Sequence, residues 1–345
     1  MVTSCPASNN HCASRRTRGS DMQPFETTDT IRATGPLGGS CVSSQRAQKV
    51  RWCEEWCILA TPVSDDLPLV EPNPSVSIFG GPRRFFETMY NDAYLIRNLA
   101  RRDIKSRYSR AIIGFGWTFL EPLLLSIVYY ALFTILAGRP DQLYPLHVIT
   151  GVIVWGHFGK SLQASVGSLT KGKNLIKQVY FPREILAVSP VIAQFCISCT
   201  SLLAVIPIMI YLDVKPEWQI IWMIPLGLFL STILAIGVGM LVAPLNAISQ
   251  DVQHLFKFIV RAGFFVSPVM WTYEMASDRA SGEWLDLVLL NPMVVPITLV
   301  RKGLDGSELT IPGNQIGYSI TFAISALIIG ISIFKYYEAR VVKYL

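Results

Sequence analysis

Gly159-Lys160-Ser161 has the residue types that close a phosphate-binding loop. A working loop of that kind needs a glycine five residues before Gly159, so that successive backbone N–H groups can wrap the phosphates. Val154 stands there, inside an apolar block, and no other glycine-rich cradle is present. If nucleotide drives this protein, a separate subunit hydrolyses it. The four histidines (His11, His147, His157 and His254) have no nearby serine or cysteine that completes a nucleophilic triad, and no His-x-x-x-His pair exists. His157 lies within an apolar block and reads as a packed or pore-facing residue. Cys53-x-x-x-Cys57 and Cys196-x-x-Cys199 lack the second ligand pair that a zinc site requires, and the latter suits ordinary helix packing. The sequence therefore assigns no catalytic residue, no metal ligand and no cofactor to this chain.

Glu121, followed by Pro122, is the acid placed well inside an apolar block. A carboxylate there is costly, so it is expected to face a partner or a polar cavity. Arg261, in a later block, is the opposite charge expected to meet it. Paired acids of the kind that relay protons through a carrier are missing. Tyr129, Tyr130, Phe133, Trp155, Phe158, Phe264, Phe265, Trp271 and Tyr273 gather in three of the blocks. Aromatics at block ends serve as interfacial anchors, whereas those in mid-block can also stack on sugar faces.

The blocks that hold these residues define the class. Of 345 residues, 51% are hydrophobic and 16% charged, with a mean hydropathy of +0.40. Soluble globular chains carry roughly a quarter charged residues. From Phe115 onward the apolar residues collect into stretches of about 20, enough to cross a hydrocarbon core roughly 30 Å thick. The net charge of +6 sits mostly beside these stretches, where membrane topology places it, which argues against nucleic acid as a partner.

Residues 1–82 are rich in Ser, Thr, Pro, Gly and Cys, contain no apolar signal-peptide core, and read as a disordered tail. Residues 83–113 read as a basic amphipathic helix lying on the cytoplasmic leaflet, with Phe85, Phe86, Met89, Tyr94, Leu95 and Leu99 on one face. A transmembrane domain over 114–345 follows, with six spans expected at 115–137, 146–168, 185–212, 219–243, 255–273 and 316–335, and with kinks expected at Pro122, Pro207 and Pro225. With the N-terminus inside, sixteen Lys and Arg flank the cytoplasmic side and five the external side. Both termini are thus expected in the cytoplasm. Between spans five and six, Trp284–Val300 is apolar but broken by Asn291-Pro292 and Pro296. It reads equally as two half-helices dipping into the membrane or as a surface-lying loop.

Over residues 90–345 the chain resembles the permease subunit of ABC-2 type polysaccharide exporters, which move O-antigen, teichoic acid and capsule. Arg101-Arg102-Asp103-Ile104-Lys105-Ser106-Arg107-Tyr108, Gly114-Phe115-Gly116-Trp117 and Glu121-Pro122 carry the first part of that likeness. Tyr144-Pro145 and Trp155 follow, then the most specific segment, Asn174 to Glu184 (NLIKQVYFPRE), then Asp251-Val252, His254-Leu255, Ser267-Pro268-Val269 and Asn291-Pro292. The resemblance implies an all-α polytopic fold and a homodimer. It also implies a nucleotide-binding ATPase subunit that holds ATP and Mg²⁺, and a lipid-linked glycan as cargo in the cytoplasmic membrane. It implies contacts to that ATPase from Arg102, Asp103, Lys105, Arg107, Lys177, Tyr180, Phe181, Pro182, Arg183, Glu184 and Asp251. It implies a channel lined from among Glu121, Tyr129, Tyr130, Phe133, Trp155, Phe158, Phe265, Ser267 and Pro268, with re-entrant helices around Asn291 and Pro292. Two features depart from the family: the tail before residue 80, and Glu121, where members often carry a neutral residue. Related ABC-2 permeases export drugs or small lipids, which is the alternative cargo. A membrane glycosyltransferase would need grouped carboxylates, and Asp278, Glu283 and Asp286 are scattered.

Overall fold

The computed structural model describes residues 80–109, 111–137, 142–178, 181–279 and 289–341. The expected tail to residue 79, Tyr180 and Trp284 lie outside the described residues. The described chain is helical, without a strand.

Helices α1 (Gly81–Asn91) and α2 (Ala93–Tyr108) replace the single amphipathic helix expected over 83–113. The break falls at Asp92, whose N–H closes α1 on the Thr88 carbonyl. The single apolar face is divided with it. Phe85 packs with Ile331 and Phe334, whereas Ile96 and Leu99 pack on Ile185. Phe86 and Tyr94 face outward at 57% and 71% exposure. Two different docking surfaces require two helices.

A short 3-10 turn at Gly114–Gly116 leads into α3 (Trp117–Ala137). Pro122 lies in its second turn without ending it, and the Pro122 carbonyl accepts from Ser126 Oγ at 2.6 Å. Then come α4 (Tyr144–Val166), α5 (Ser168–Lys171), α6 (Lys173–Gln178) and α7 (Glu184–Ser201). After α7 the chain tightens into a 3-10 turn at Leu202–Val205 before α8 (Ile206–Tyr211). Pro207 explains the tightening, because it has no N–H for the Leu203 carbonyl and its ring crowds that carbonyl. The expected break in the third span is therefore present, one turn before its proline.

Helix α9 (Ile220–Ile248) runs unbroken through both Pro225 and Pro244. Helix α10 (Asp251–Val266) ends seven residues before the 273 expected. Ser267 precedes Pro268 and is driven out of the helical region, to φ −81° and ψ 154°. Helices α11 (Tyr273–Arg279), α12 (Val294–Asp305) and α13 (Gly313–Val341) complete the order.

Among the described residues, four helical stretches are long and apolar enough to cross a membrane: Gly114–Ile135, Glu184–Tyr211, Ile220–Ile248 and Gly313–Glu338. They match the first, third, fourth and sixth expected spans. Helix α4 has 23 residues but carries His147, His157, Lys160 and Gln163. Helix α10 has 16 residues, or about 24 Å at 1.5 Å each.

Helix α9 is the hub, packing along α13, α4 and α12, and α4 packs in turn on α7 and α3. The α9–α13 crossing is close enough that a Cβ at Gly330 collides with the Gly237 carbonyl. Helix α4 is buried along nearly its whole length, which is why His157 is tolerated there: it faces protein, whereas Lys160 is exposed. By contrast, α3 buries only 11% of its most apolar stretch, against 67% for α9.

Candidate functional site

A cavity of about 190 Å³ lies among α3, α4, α7 and α10. Its wall includes Glu121, Tyr129, Trp155, His157, Lys160 and Gln194. Lys160 Nζ donates to both Glu121 oxygens at 2.7 Å. The expected partner of Glu121, Arg261, points outward from α10 and is exposed. This pairing is corrected: α4, not α10, presents its cation to Glu121. Lys160 was legible only as part of a failed phosphate loop. The rule that singles out Glu121, that an ionised group within an apolar block needs a partner, applies equally to Lys160 and makes it a candidate beside Arg261 without choosing between them.

The rest of the wall is a polar seam. The His157 ring bridges helices, with Nδ1 3.1 Å from Ser198 Oγ and Nε2 2.9 Å from Thr232 Oγ1. It is a buried cross-link of α4 to α7 and α9. Gln194 accepts a hydrogen bond from Arg107 Nη1 at 2.5 Å, and its main-chain oxygen accepts from Ser198 Oγ at 2.9 Å. The seam thus ties basic α2 to the bundle interior.

Of the aromatic candidates, Tyr129 and Trp155 line this cavity, and Tyr129 packs on Phe264 with centroids 5.0 Å apart. Phe133 stacks on Tyr144 at 4.7 Å, with Tyr130 beside it at 6.2 Å. Phe158 is buried against Trp155. Phe265 is 63% exposed on α10. Ser267 and Pro268 are buried away from the cavity, in the turn-forming link after α10.

That link is held at the N-terminal end of α4 by Arg301, an anchor the sequence reading placed only among flanking charges. Its Nη2, Nη1 and Nε donate to the main-chain oxygens of Val269 at 2.7 Å, Trp271 at 2.9 Å and His147 at 3.0 Å. Tyr144 Oη adds a bond to the Met270 oxygen at 2.7 Å. A non-helical segment is thereby satisfied by one guanidinium and one phenol. Gly151 makes room, since a Cβ there falls 2.7 Å from Arg301 Nη2. Asn291 Nδ2 donates to Ser267 Oγ at 2.7 Å while its Oδ1 accepts from the Met293 N–H. Ser319 Oγ donates to the Pro292 carbonyl at 2.8 Å. Asn291 and Pro292 are thus stapled between the link and α13, and α12 beyond them is buried on most sides.

Nearby, Glu274 accepts from Lys302 at 2.8 Å and from Thr310 at 2.7 Å. Partial burial pushes its carboxyl up, but these bonds and the Lys302 charge outweigh burial and hold it down at about 2. Asp305 is also held below its ordinary range: burial raises it, and hydrogen bonds from His147 and Ser307 overcome that.

At the C-terminal end of α4, Arg102, Lys105, Arg107, Lys177 and Asp251 are exposed, with Asp103, Phe181 and Pro182 half-buried. Arg183 turns inward, donating to the Glu338 main-chain oxygen at 3.0 Å. Glu184 is fully buried and paired with Lys335. These two brace the segment against α13.

The ABC-2 type transporter family model matches residues 94–304, more than half of the chain. The O-antigen export system permease protein RfbA of Myxococcus xanthus is 26% identical over 219 residues, covering 62% of this chain and 82% of that protein. An RfbA permease of Klebsiella pneumoniae is 26% identical over 255 residues, covering 73% and 96%. The polysialic acid transport protein KpsM of Escherichia coli is 22% identical over 250 residues, covering 70% and 92%.

Proposed function

The chain belongs to the ABC-2 type transporter family, and from that premise we propose that it is the permease subunit of an ATP-driven polysaccharide exporter. The observation that carries this reading is likeness to O-antigen and capsule export permeases across nearly their whole length. These relatives are named for O-antigen, polysialic acid or capsule export, which favours a polysaccharide over a drug or small lipid as cargo.

The finer reading has six spans. Helices α4 and α10 are the second and fifth, with α4 shielded by the bundle and α10 extended by the buried link after Val266. Non-helical backbone is tolerated at that depth where protein covers it, and Arg301 supplies the cover. Residues 114–345 form the transmembrane domain, 83–113 the interfacial segment and 1–82 a tail. Around Asn291 and Pro292 the chain re-enters the membrane. Both termini face the cytoplasm.

The cargo is a lipid-linked glycan, and energy comes from a separate ATPase subunit that binds ATP and Mg²⁺. Arg102, Asp103, Lys105, Arg107, Lys177, Tyr180, Phe181, Pro182 and Asp251 meet that subunit, with Arg183 and Glu184 as the brace behind them. Two copies of the permease enclose the path. In support, α3 and α10 leave Ile127, Val128, Phe258 and Phe265 each at least 60% exposed, to be covered by lipid or by a second copy. Tyr129, Trp155 and the Glu121–Lys160 pair line the path, with Tyr130, Phe133, Phe158, Phe265, Ser267 and Pro268 around it.

Depletion in the native cell tests the proposal. The expected result is loss of a surface polysaccharide, build-up of its lipid-linked precursor inside, and unchanged drug resistance. Unaltered surface glycan with new drug sensitivity overturns it.

A further inference from the structure

Two voids meet at one ion pair. On the far side of Glu121 and Lys160 from the 190 Å³ cavity lies a wider basin of about 610 Å³. The two share Tyr108, Glu121 and Lys160 as their common wall. The basin presents Arg107, Lys160, Lys171 and Lys257 against a single carboxylate, that of Glu121. Among the described residues, Arg107, Lys171 and Lys257 form no ion pair, and Arg107 is satisfied by the neutral amide of Gln194. A third void, of about 630 Å³, shares Arg107 and Lys171 with the basin and leads past Arg102.

Four cations around one carboxylate repel one another, and their summed field draws in an anion from outside the recess. A phosphate group suits the arrangement. It carries more charge than a carboxylate and several acceptor oxygens, enough for ammonium and guanidinium groups arriving from different helices. The basin already holds a weaker occupant of the same kind, the Glu121 carboxylate on Lys160. The pair is also reachable: its side chains are 48% and 45% exposed, so an incoming anion can approach Lys160 without first unfolding the wall.

We infer that the Glu121–Lys160 pair is an anion-exchange latch. A phosphate-bearing group entering the basin takes Lys160 from Glu121, with Arg107, Lys171 and Lys257 as its further partners, and the released Glu121 side chain clears the wall between basin and cavity. This rests on the exporter reading only in that the phosphate is then carried on the lipid anchor of the cargo. The site itself recognises phosphate whatever bears it.

The test uses the full chain in nanodiscs. Binding is measured for undecaprenyl diphosphate, for undecaprenol at equal density, and for inorganic pyrophosphate in solution. Lys160→Met is expected to weaken diphosphate binding about tenfold, the scale of one lost charge-assisted hydrogen bond. Glu121→Gln removes the competitor and is expected to tighten binding roughly threefold or more, an effect that vanishes when combined with Lys160→Met. Binding of the lipid diphosphate alone assigns a lipid-borne phosphate, and equal binding of pyrophosphate assigns the bare group; undecaprenol binds without sensitivity to either variant. Should Lys160→Met fail to fold, Lys160→Arg, expected to bind within about threefold of the parent, and Glu121→Gln carry the test. Equal binding by all variants, or a Glu121→Gln variant that binds more weakly, overturns the latch. A chain whose variants all bind alike yet assembles with its ATPase and exports glycan refutes the latch and leaves the exporter reading intact. A chain that assembles with no ATPase refutes the exporter reading whatever the phosphate result.

Discussion

Arg301 Nε donates to the His147 main-chain oxygen at 3.0 Å, while the His147 ring meets Asp305, one turn further along α12, at 3.1 Å. One residue of α4 is therefore gripped by two residues of α12, and the same guanidinium holds the link after α10. Three segments far apart in sequence converge on one side chain.

Arg301→Met strands the Val269 and Trp271 carbonyls at once and strips the His147 main-chain oxygen of its second donor, leaving that oxygen its helical partner. Each buried acceptor left unpaired costs about 1–3 kcal/mol, so even partial relaxation leaves a loss of several kcal/mol. The thermal midpoint in detergent is expected to fall by on the order of 10 °C. Arg301→Lys, which cannot reach three oxygens with a planar fork, is expected to recover less than half of that. A midpoint within two or so degrees of the parent removes Arg301 as the anchor.

At the α9–α13 crossing, Gly330→Val is expected to force the helices apart. The added Cβ meets the Gly237 main chain rather than a movable side chain, so the overpacking cost reaches about 3 kcal/mol or more. Gly313→Val, where a Cβ meets open space, is the matched control and should melt near the parent. The comparison is read by thermal unfolding of both variants.

Much of this was legible in the sequence, and particular residues show why the rest was not. Apolar blocks with flanking cations locate helices at all six expected places, because block length and the avoidance of water by apolar side chains are local properties. The dipeptide Ser267-Pro268 holds the signal for the early end of α10, the backbone restriction before proline, but an apolar block running on to 273 masked it. The Glu121 partner was missed because pairing depends on how α3 and α4 rotate about their axes, which no local pattern encodes. The split at Asp92 was missed because the apolar residues fit one helical face, and only their two separate docking surfaces, on α13 and α7, divide them. Arg301 looked like a topological charge because its acceptors are main-chain oxygens, which leave no mark on side-chain identity.

Acid should loosen the region around α11 and α12. The Glu274 carboxyl is held at about 2, below its ordinary 4.5, and Asp305 is likewise lowered. A depressed carboxylate contributes stability that is fully present above its ordinary value and lost as pH falls toward the folded value. The thermal midpoint is therefore expected to drop between about pH 4.5 and about pH 2. Glu274→Gln should flatten that drop while lowering the midpoint at neutral pH. A variant whose acid profile overlays the parent's removes Glu274 from the account.

Charge reversal on the outward face at the C-terminal end of α4 tests the docking surface proposed for the ATPase subunit. Arg102→Glu with Lys177→Glu alters two side chains that form no long-range hydrogen bond or ion pair among the described residues, Arg102 pairing there with neighbouring Asp103 at 3.4 Å. Folding is expected to survive, while capture of the ATPase subunit falls by about tenfold, as like charges meet across the interface. Full capture by a well-folded double variant places the ATPase elsewhere.

The central claim is that energy reaches this chain from a docked nucleotide-binding subunit and is used to move glycan. Reconstitution into liposomes, with and without the ATPase subunit, tests it most directly by following ATP hydrolysis and passage of a lipid-linked O-antigen type glycan across the bilayer. The predicted result is hydrolysis and passage only when both subunits are present. ATP turnover by the isolated chain, or glycan passage that needs no nucleotide, contradicts it.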